Sequence, residues 1–216
     1  MMVGKKRSKI DPSHFRVAIF GSARLSKGDV RYKQVFSLAK MIAKAEMDVV
    51  TGGGPGLMDA ASRGHHAGRK GKKGAHSIGL TINLPREQHD GYHLDIKKDF
   101  MRFSNRLDSF MELSNAVVVA PGGIGTLLEL LYTWQLVQVK HICETPIILL
   151  GAHWQGLLDW VKKEMVRKKL MSSSDFSNVF VVKSSSAAMK LLKKVQEDSL
   201  GSGHVCSNFK RYKKEK

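Results

Sequence analysis

Near the middle of the chain, Pro121-Gly122-Gly123-Ile124-Gly125-Thr126 stands between a β-branched apolar run and a stretch with helical periodicity. Glycines in such a loop let the backbone approach an anion closely. The N–H groups and dipole of the helix that follows favour phosphate. Thr126 adds a hydroxyl donor. Three glycines and a threonine are more than a plain strand-to-helix turn requires. Glu129 follows one turn into the helix. Its spacing from Thr126 is also that of a capping box, Thr-x-x-Glu, which gives it a purely structural alternative. A carboxylate beside a bound phosphate is costly unless chemistry uses it, and the chemistry that fits is acid–base work on a phosphorylated substrate.

Other candidates lie upstream. Gly52-Gly53-Gly54-Pro55-Gly56-Leu57-Met58 again joins a strand to a helix. It either contacts substrate or permits tight packing, and its type and spacing leave both readings open. Asp59 suits the role of a helix-start dipole partner. Arg102 and Arg106 lie four apart and share a helix face; the plain reading is two exposed arginines. His65, His66, His89 and His93 match no zinc spacing, and HExxH is absent, so no metal site is expected. The patterns G-x-x-x-x-G-K-[ST] and G-x-G-x-x-G are also absent. That argues against P-loop ATP hydrolysis and favours a mononucleotide over a dinucleotide.

The elements that must hold these loops follow from periodicity. Residues 17–20 (VAIF), 48–51 (DVVT), 77–83, 116–120 (AVVVA), 146–150 and 179–182 read as six buried strands. Residues 31–46, 55–69, 98–114, 124 to about 140, 153–169 and 185–198 read as helices, Pro55 suiting a first turn. Strands this apolar are buried on both faces, and their alternation with helices implies a parallel sheet covered on both sides. The fold expected is a single-domain, Rossmann-like, doubly wound α/β sheet. With strand order 3-2-1-4-5-6, the switch point falls between the first and fourth strands. Gly21-Ser22-Ala23-Arg24 and the 121–126 loop then face one crevice.

Composition sets the outer bounds. The 216 residues suit one core, residues 15–200, between basic ends at 1–14 and 201–216. Apolar residues make up 42%, enough for a packed interior, and no run approaches the roughly 18 needed to span a membrane. No apolar stretch follows the basic residues 1–9, so no signal peptide is expected. Two cysteines, Cys143 and Cys206, without CxxC, argue against a disulfide framework and fit a reducing cytoplasm. The formal net charge is +17, which raises an anionic partner. Much of the excess sits at the ends and in Arg69, Lys70, Lys72 and Lys73. Solvated tails are the commoner meaning of such ends, so nucleic acid ranks last among the partners.

PGGIGTLLE, residues 121–129, resembles the PGGxGTxxE signature of the Lonely Guy (LOG) family, cytokinin-activating phosphoribohydrolases long labelled lysine decarboxylases. FGSAR (20–24), GGGPGLM (52–58) and LPREQ (84–88) are similar to further family segments in the same order, the last typical of its type II branch. The resemblance covers residues 16 to about 160. It implies a homo-oligomer built on a dimer and hydrolysis of AMP or an N6-modified AMP. Glu129 and Arg106 would be catalytic. Gly122, Gly123, Gly125 and Thr126 would hold the phosphate, and Glu87, with Ser22, Gly53 and Gly54 from the first two loops, would contact substrate. The sequence departs from the family at Leu107, where lysine is usual, and at Gln135, where threonine is usual; both bear on base specificity.

Cleavage of an N-glycosidic bond develops positive charge on the ribose, which a carboxylate beside the ring stabilises while it orients or deprotonates water. That reaction needs neither cofactor nor metal. The chief rival is a non-catalytic carrier of a nucleotide or of a phosphorylated cofactor such as the molybdenum cofactor, which would not need the Arg106 and Glu129 pair. No lysine stands out as a Schiff-base residue for a decarboxylase.

Overall fold

Short runs of Val, Ile, Leu and Ala pair side by side because they can be covered on both faces. The computed structural model describes residues 10–11, 13–69, 74–82 and 93–201. Seven strands form one sheet: β1 (Arg16–Phe20), β2 (Asp48–Thr51), β3 (Ser77–Ile82), β4 (Ile96–Phe100), β5 (Ala116–Val119), β6 (Ile147–Leu150) and β7 (Val179–Val182). Their order is β4-β3-β2-β1-β5-β6-β7, and every pairing is parallel. The chain reverses direction across the sheet between β1 and β5, where the sequence places the switch point.

Side chains alternate across the sheet and build two cores. Val17, Ile19, Val49, Val118 and Ile148 pack under α1 (Val30–Lys44), α2 (Leu57–Arg69) and α6 (Ser185–Gly201). Ala18, Phe20, Val50, Val117 and Leu149 pack under α3 (Phe103–Leu113), α4 (Ile124–Gln138) and α5 (Trp154–Val161). The result is three layers, α/β/α, as the alternation of elements requires. Asp29 caps α1 by accepting the Arg31 N–H at 2.8 Å.

Two element boundaries depart from expectation. Residues 98–100, read as the start of a helix, belong to β4, and α3 begins only at Phe103. Phe103, Leu107, Phe110 and Met111 keep helical spacing within α3. Ile96, Lys98 and Phe100 instead follow the two-residue period of an edge strand, and Lys97, Lys98 and Asp99 give that edge the charge that blocks further pairing. The helix read over 153–169 leaves α geometry after Val161 and continues as a π turn, Lys162–Val166.

Cys143 is buried, and Cys206 lies outside the described residues. Among the described residues, no helix is long and apolar enough to cross a membrane. Residues 1–9 and 202–216, Lys70, Lys72 and Lys73 lie outside the described residues, and so does most of the basic excess.

Candidate active site

The carboxyl ends of β1, β2 and β5 open into a cleft of about 1120 Å³, lined by the loops 21–25, 52–55 and 121–126 together with Arg106 and Glu129. Hydrogen bonds lace the three loops together. The Ser22 N–H donates to the Pro121 carbonyl at 3.0 Å, and the Leu57 N–H donates to the Ser22 carbonyl at 2.9 Å. Gly56 holds φ +69°, and any side chain there would run into the backbone of Ser22 and Ala23. The first two loops are therefore fixed against each other by a close backbone approach.

The glycines serve different ends. A Cβ on Gly52 would collide with the Arg106 guanidinium, and one on Gly53, itself at φ +69°, would press on Thr81. Packing accounts for these two. Beyond the adjoining backbone, a Cβ on Gly123 or Gly125 would meet no atom of the described residues within 4 Å. Among those residues nothing forbids a side chain at these two positions, so the bare backbone leaves room for something outside the chain. Gly123 is the N-cap residue of α4, and no side chain caps that helix. The first-turn N–H groups and the positive end of the dipole thus face the cleft, the setting in which anions bind. Thr126 lies in the first turn, buried, with its side chain against Gly122.

This geometry decides the ambiguity at Glu129. The N-cap is Gly123, not Thr126, and makes no side-chain cap bond, so the capping-box alternative fails. The Glu129 side chain keeps 13% of its surface and meets Arg106 across the cleft, Oε1 to Nη1 at 3.7 Å. That is an ion pair, too long for a hydrogen bond. Burial pushes the carboxyl up to about 7, against the opposing pull of Arg106. A carboxyl at that value is of the kind that suits acid–base chemistry near neutral pH.

Arg106 is not the exposed arginine of the plain reading. Its side chain is 11% exposed, its Nε donates to the Leu80 carbonyl at 2.7 Å, and its guanidinium lies 5.3 Å from the Phe110 ring centroid. Only its i−4 neighbour, Arg102, is exposed. The cation is held beneath the second loop with Nη1 toward Glu129.

Ser22, Gly53, Gly54, Gly122, Gly123, Gly125 and Thr126 all line the same cleft as Arg106 and Glu129. Glu87 lies outside the described residues. Asp59 does more than meet a helix start: it accepts the Tyr32 hydroxyl at 2.7 Å and the Arg63 Nε at 2.7 and 2.8 Å. His65 is a core residue, its Nε2 2.9 Å from the Met47 carbonyl, and burial lowers it to about 4. The sequence reading passes over Arg31, Thr81, Phe103 and His153, which also border the cleft. They come from four separate elements, and no local pattern marks them. Arg31 is held by Asp29 at 2.6 Å, whereas Arg24, at the mouth, makes no ion pair among the described residues.

Fold and site together define a Rossmann-like α/β protein whose switch-point cleft joins an uncapped glycine-rich helix start to a buried carboxylate–guanidinium pair. The chain belongs to the family described as possible lysine decarboxylase, whose profile matches residues 58–192. It is 33% identical over 156 residues to a rice (Oryza sativa) protein named probable cytokinin riboside 5′-monophosphate phosphoribohydrolase LOGL5, covering 68% of this chain and 59% of that protein. The Arabidopsis thaliana cytokinin riboside 5′-monophosphate phosphoribohydrolase LOG3 is 26% identical over 89% of this chain and 87% of its own length. A pyrimidine/purine nucleotide 5′-monophosphate nucleosidase of Escherichia coli K12 is 27% identical over 54% of this chain and 26% of its own length. The chain spans 59% and 60% of the length of two rice relatives. Among solved structures, the molybdenum cofactor binding protein of Rippkaea orientalis superposes with a TM-score of 0.64 at 18% identity, over 84% of this chain and 97% of that one. At that identity the likeness is one of fold. The LOG resemblance read from residues 121–129 agrees with the relatives' names.

Proposed function

We propose that the protein hydrolyses the N-glycosidic bond of a purine nucleoside 5′-monophosphate, AMP or an N6-modified AMP, to the free base and ribose 5-phosphate. The observation that carries this reading is the buried Glu129–Arg106 pair, 3.7 Å apart, beside an uncapped helix start whose glycines face open space. The names of the rice and Arabidopsis relatives support the same substrate class.

In this reading the 5′-phosphate sits on the backbone of Gly122, Gly123 and Gly125 and on the Thr126 hydroxyl, with Arg24 as a further cation at the mouth. Ser22, Gly53 and Gly54 bound the nucleoside, and Glu87 contacts the substrate. Phosphate binding fixes the ribose so that its anomeric carbon meets Glu129. As the C1′–N bond breaks, its electron pair leaves with the base. Glu129, ionised, stabilises the positive charge on the ring and takes a proton from water. The water oxygen bonds to C1′, the departing base takes up a proton from solvent, and Glu129 returns its own proton to solvent. Arg106 holds Glu129 in place or binds a ribose hydroxyl. Residues 15–200 form the catalytic unit, and the basic ends stand outside it.

The same reading makes the protein a homo-oligomer built on a dimer and places it in the cytoplasm. Ile124, Leu128 and Leu131 form an exposed apolar stripe along α4, with Met101 and Phe103 exposed on the neighbouring segment. Such a patch on a chain with no membrane-crossing helix among its described residues supports a partner surface of the same kind.

The test is incubation with a panel of nucleoside 5′-monophosphates, with free base followed by chromatography. The expected result is base release from AMP or an N6-substituted AMP. Binding without release from any member would favour the carrier reading instead.

A further inference from the structure

The opposite end of the sheet carries a second cluster. His14 precedes β1, Asp48 opens β2, and His76 precedes β3, on three adjacent strands with β2 in the middle. The ladder aligns them: the Asp48 N–H donates to the Phe15 carbonyl at 2.9 Å, and the Val49 N–H donates to the His76 carbonyl at 3.0 Å. The acid is thus flanked by an imidazole from each neighbouring strand. Asp48 Oδ1 lies 3.1 Å from His14 Nδ1 and 3.7 Å from His76 Nδ1, and the three ligand atoms all fall within 4.8 Å of one another.

We propose that His14, Asp48 and His76 bind a divalent transition-metal cation of the Zn²⁺ type. Two imidazoles and a carboxylate form a donor set zinc favours, and ligand atoms about 2.0–2.1 Å from a tetrahedral ion lie roughly 3.3–3.4 Å apart. The distances of 3.1 and 3.7 Å bracket that separation. Asp48 is 1% exposed and cannot swing away, because its Oδ1 also accepts the His76 N–H at 2.7 Å. His14 Nε2 lies 3.8 Å from the exposed Asp11 carboxylate, close enough for an ion pair and within a small shift of the bond a ligating imidazole makes with its second nitrogen. Arg16 is the competing cation. Its Nη1 stands 4.0 Å from Asp48 Oδ2, while its Nε and Nη1 donate to the carbonyls of Leu113 and Asp11, both at 2.6 Å. Arg16 faces Oδ2, whereas both imidazoles face Oδ1. The histidines remain 24% and 25% exposed, so solvent reaches the fourth coordination position. The ion would tie the segment before β1 to β2 and β3. It lies at the amino ends of the strands, across the sheet from the cleft, and takes no part in the reaction there.

The untagged full chain, stripped with a chelator, is titrated with Co²⁺ and then with Zn²⁺. The expected result is the visible absorption of a four-coordinate Co²⁺ site, complete at one equivalent and bleached by Zn²⁺, with a higher melting temperature in Zn²⁺. His76→Ala should weaken Zn²⁺ binding by more than the roughly 10–100-fold typical of losing an outer partner. His14→Asn, which keeps a donor toward Asp48 and so preserves the fold, should do the same. His66→Ala should leave binding unchanged. Absence of the band at one equivalent would overturn the proposal. So would a band that survives in both the His14 and His76 variants, which would assign the ion to other surface histidines. Neither outcome depends on what the cleft catalyses.

Discussion

Each end of this sheet buries an aspartate or glutamate beside an arginine, and the two ends treat it in opposite ways. At the amino ends, Asp48 is enclosed by donors: the His76 N–H at 2.7 Å, His14 Nδ1 at 3.1 Å and Arg16 at 4.0 Å. At the carboxyl ends, Glu129 has one charged partner among the described residues, Arg106, too far for a hydrogen bond. Burial therefore wins at Glu129 and lifts its carboxyl to about 7. A fold with no task for that acid could have given it hydrogen-bond donors, as it does at Asp48. On the proposed function, the difference separates an acid that holds strands together from one kept ready to exchange a proton.

The largest break in this comparison should come from Arg106→Ala. Turnover should fall by roughly 10²–10⁴-fold, and Gly52→Ala should approach the same loss, because a Cβ there displaces the guanidinium. Steady-state base release by both variants, beside circular dichroism for folding, checks this; a folded Arg106→Ala enzyme of normal activity would remove Arg106 from the site.

Asp48→Ala should act the other way round. Removing one member of a buried charged cluster costs about 3–5 kcal/mol, measurable by urea unfolding without added metal, while activity per folded molecule stays near that of the parent. An equal loss of kcat would merge the two ends into one functional unit.

Glu129→Gln should instead raise stability above pH 7. The folded carboxyl sits near 7 and the unfolded one near 4.5. Between those values the folded state binds more protons, so stability falls as pH rises through the window, and the cost is complete above it. Replacing the acid should restore on the order of 1–3 kcal/mol at pH 8 and nothing at pH 4. The same titration should make kcat/KM climb by about tenfold per unit below pH 7 and level off above. A flat profile from pH 5 to 8 contradicts the role of the ionised form.

The smallest effect belongs to Gly123→Ala. Its Cβ meets no atom of the described residues beyond the adjoining backbone, so stability should hold within about 0.5 kcal/mol. The methyl group enters the space proposed for phosphate, so KM should rise by about tenfold, or roughly 1.4 kcal/mol. Unchanged KM would move the phosphate off this loop.

The carboxyl end of the sheet is the more legible in sequence. Buried strands such as residues 116–119 declare themselves by apolar content, and the glycine loops mark the switch point. Glu129 and Arg106 stood out only once a motif and its spacing were considered together; periodicity left the first as a cap and the second as a surface charge. The edge strand β4 was absorbed into a helix because Lys97, Lys98 and Asp99 hide its period. The cluster at the other end was invisible. His14, Asp48 and His76 are separated by 34 and 28 residues, and only the register of three strands brings them together.

The most direct test of the account is single-turnover hydrolysis of AMP at pH 8 by the parent and by Glu129→Gln, with nucleotide affinity measured alongside. The parent should release one adenine for each ribose 5-phosphate, and the variant should bind AMP within a few-fold of the parent yet release base roughly 10²–10⁴ times more slowly. Equal rates for the two would contradict the assignment of the reaction to Glu129.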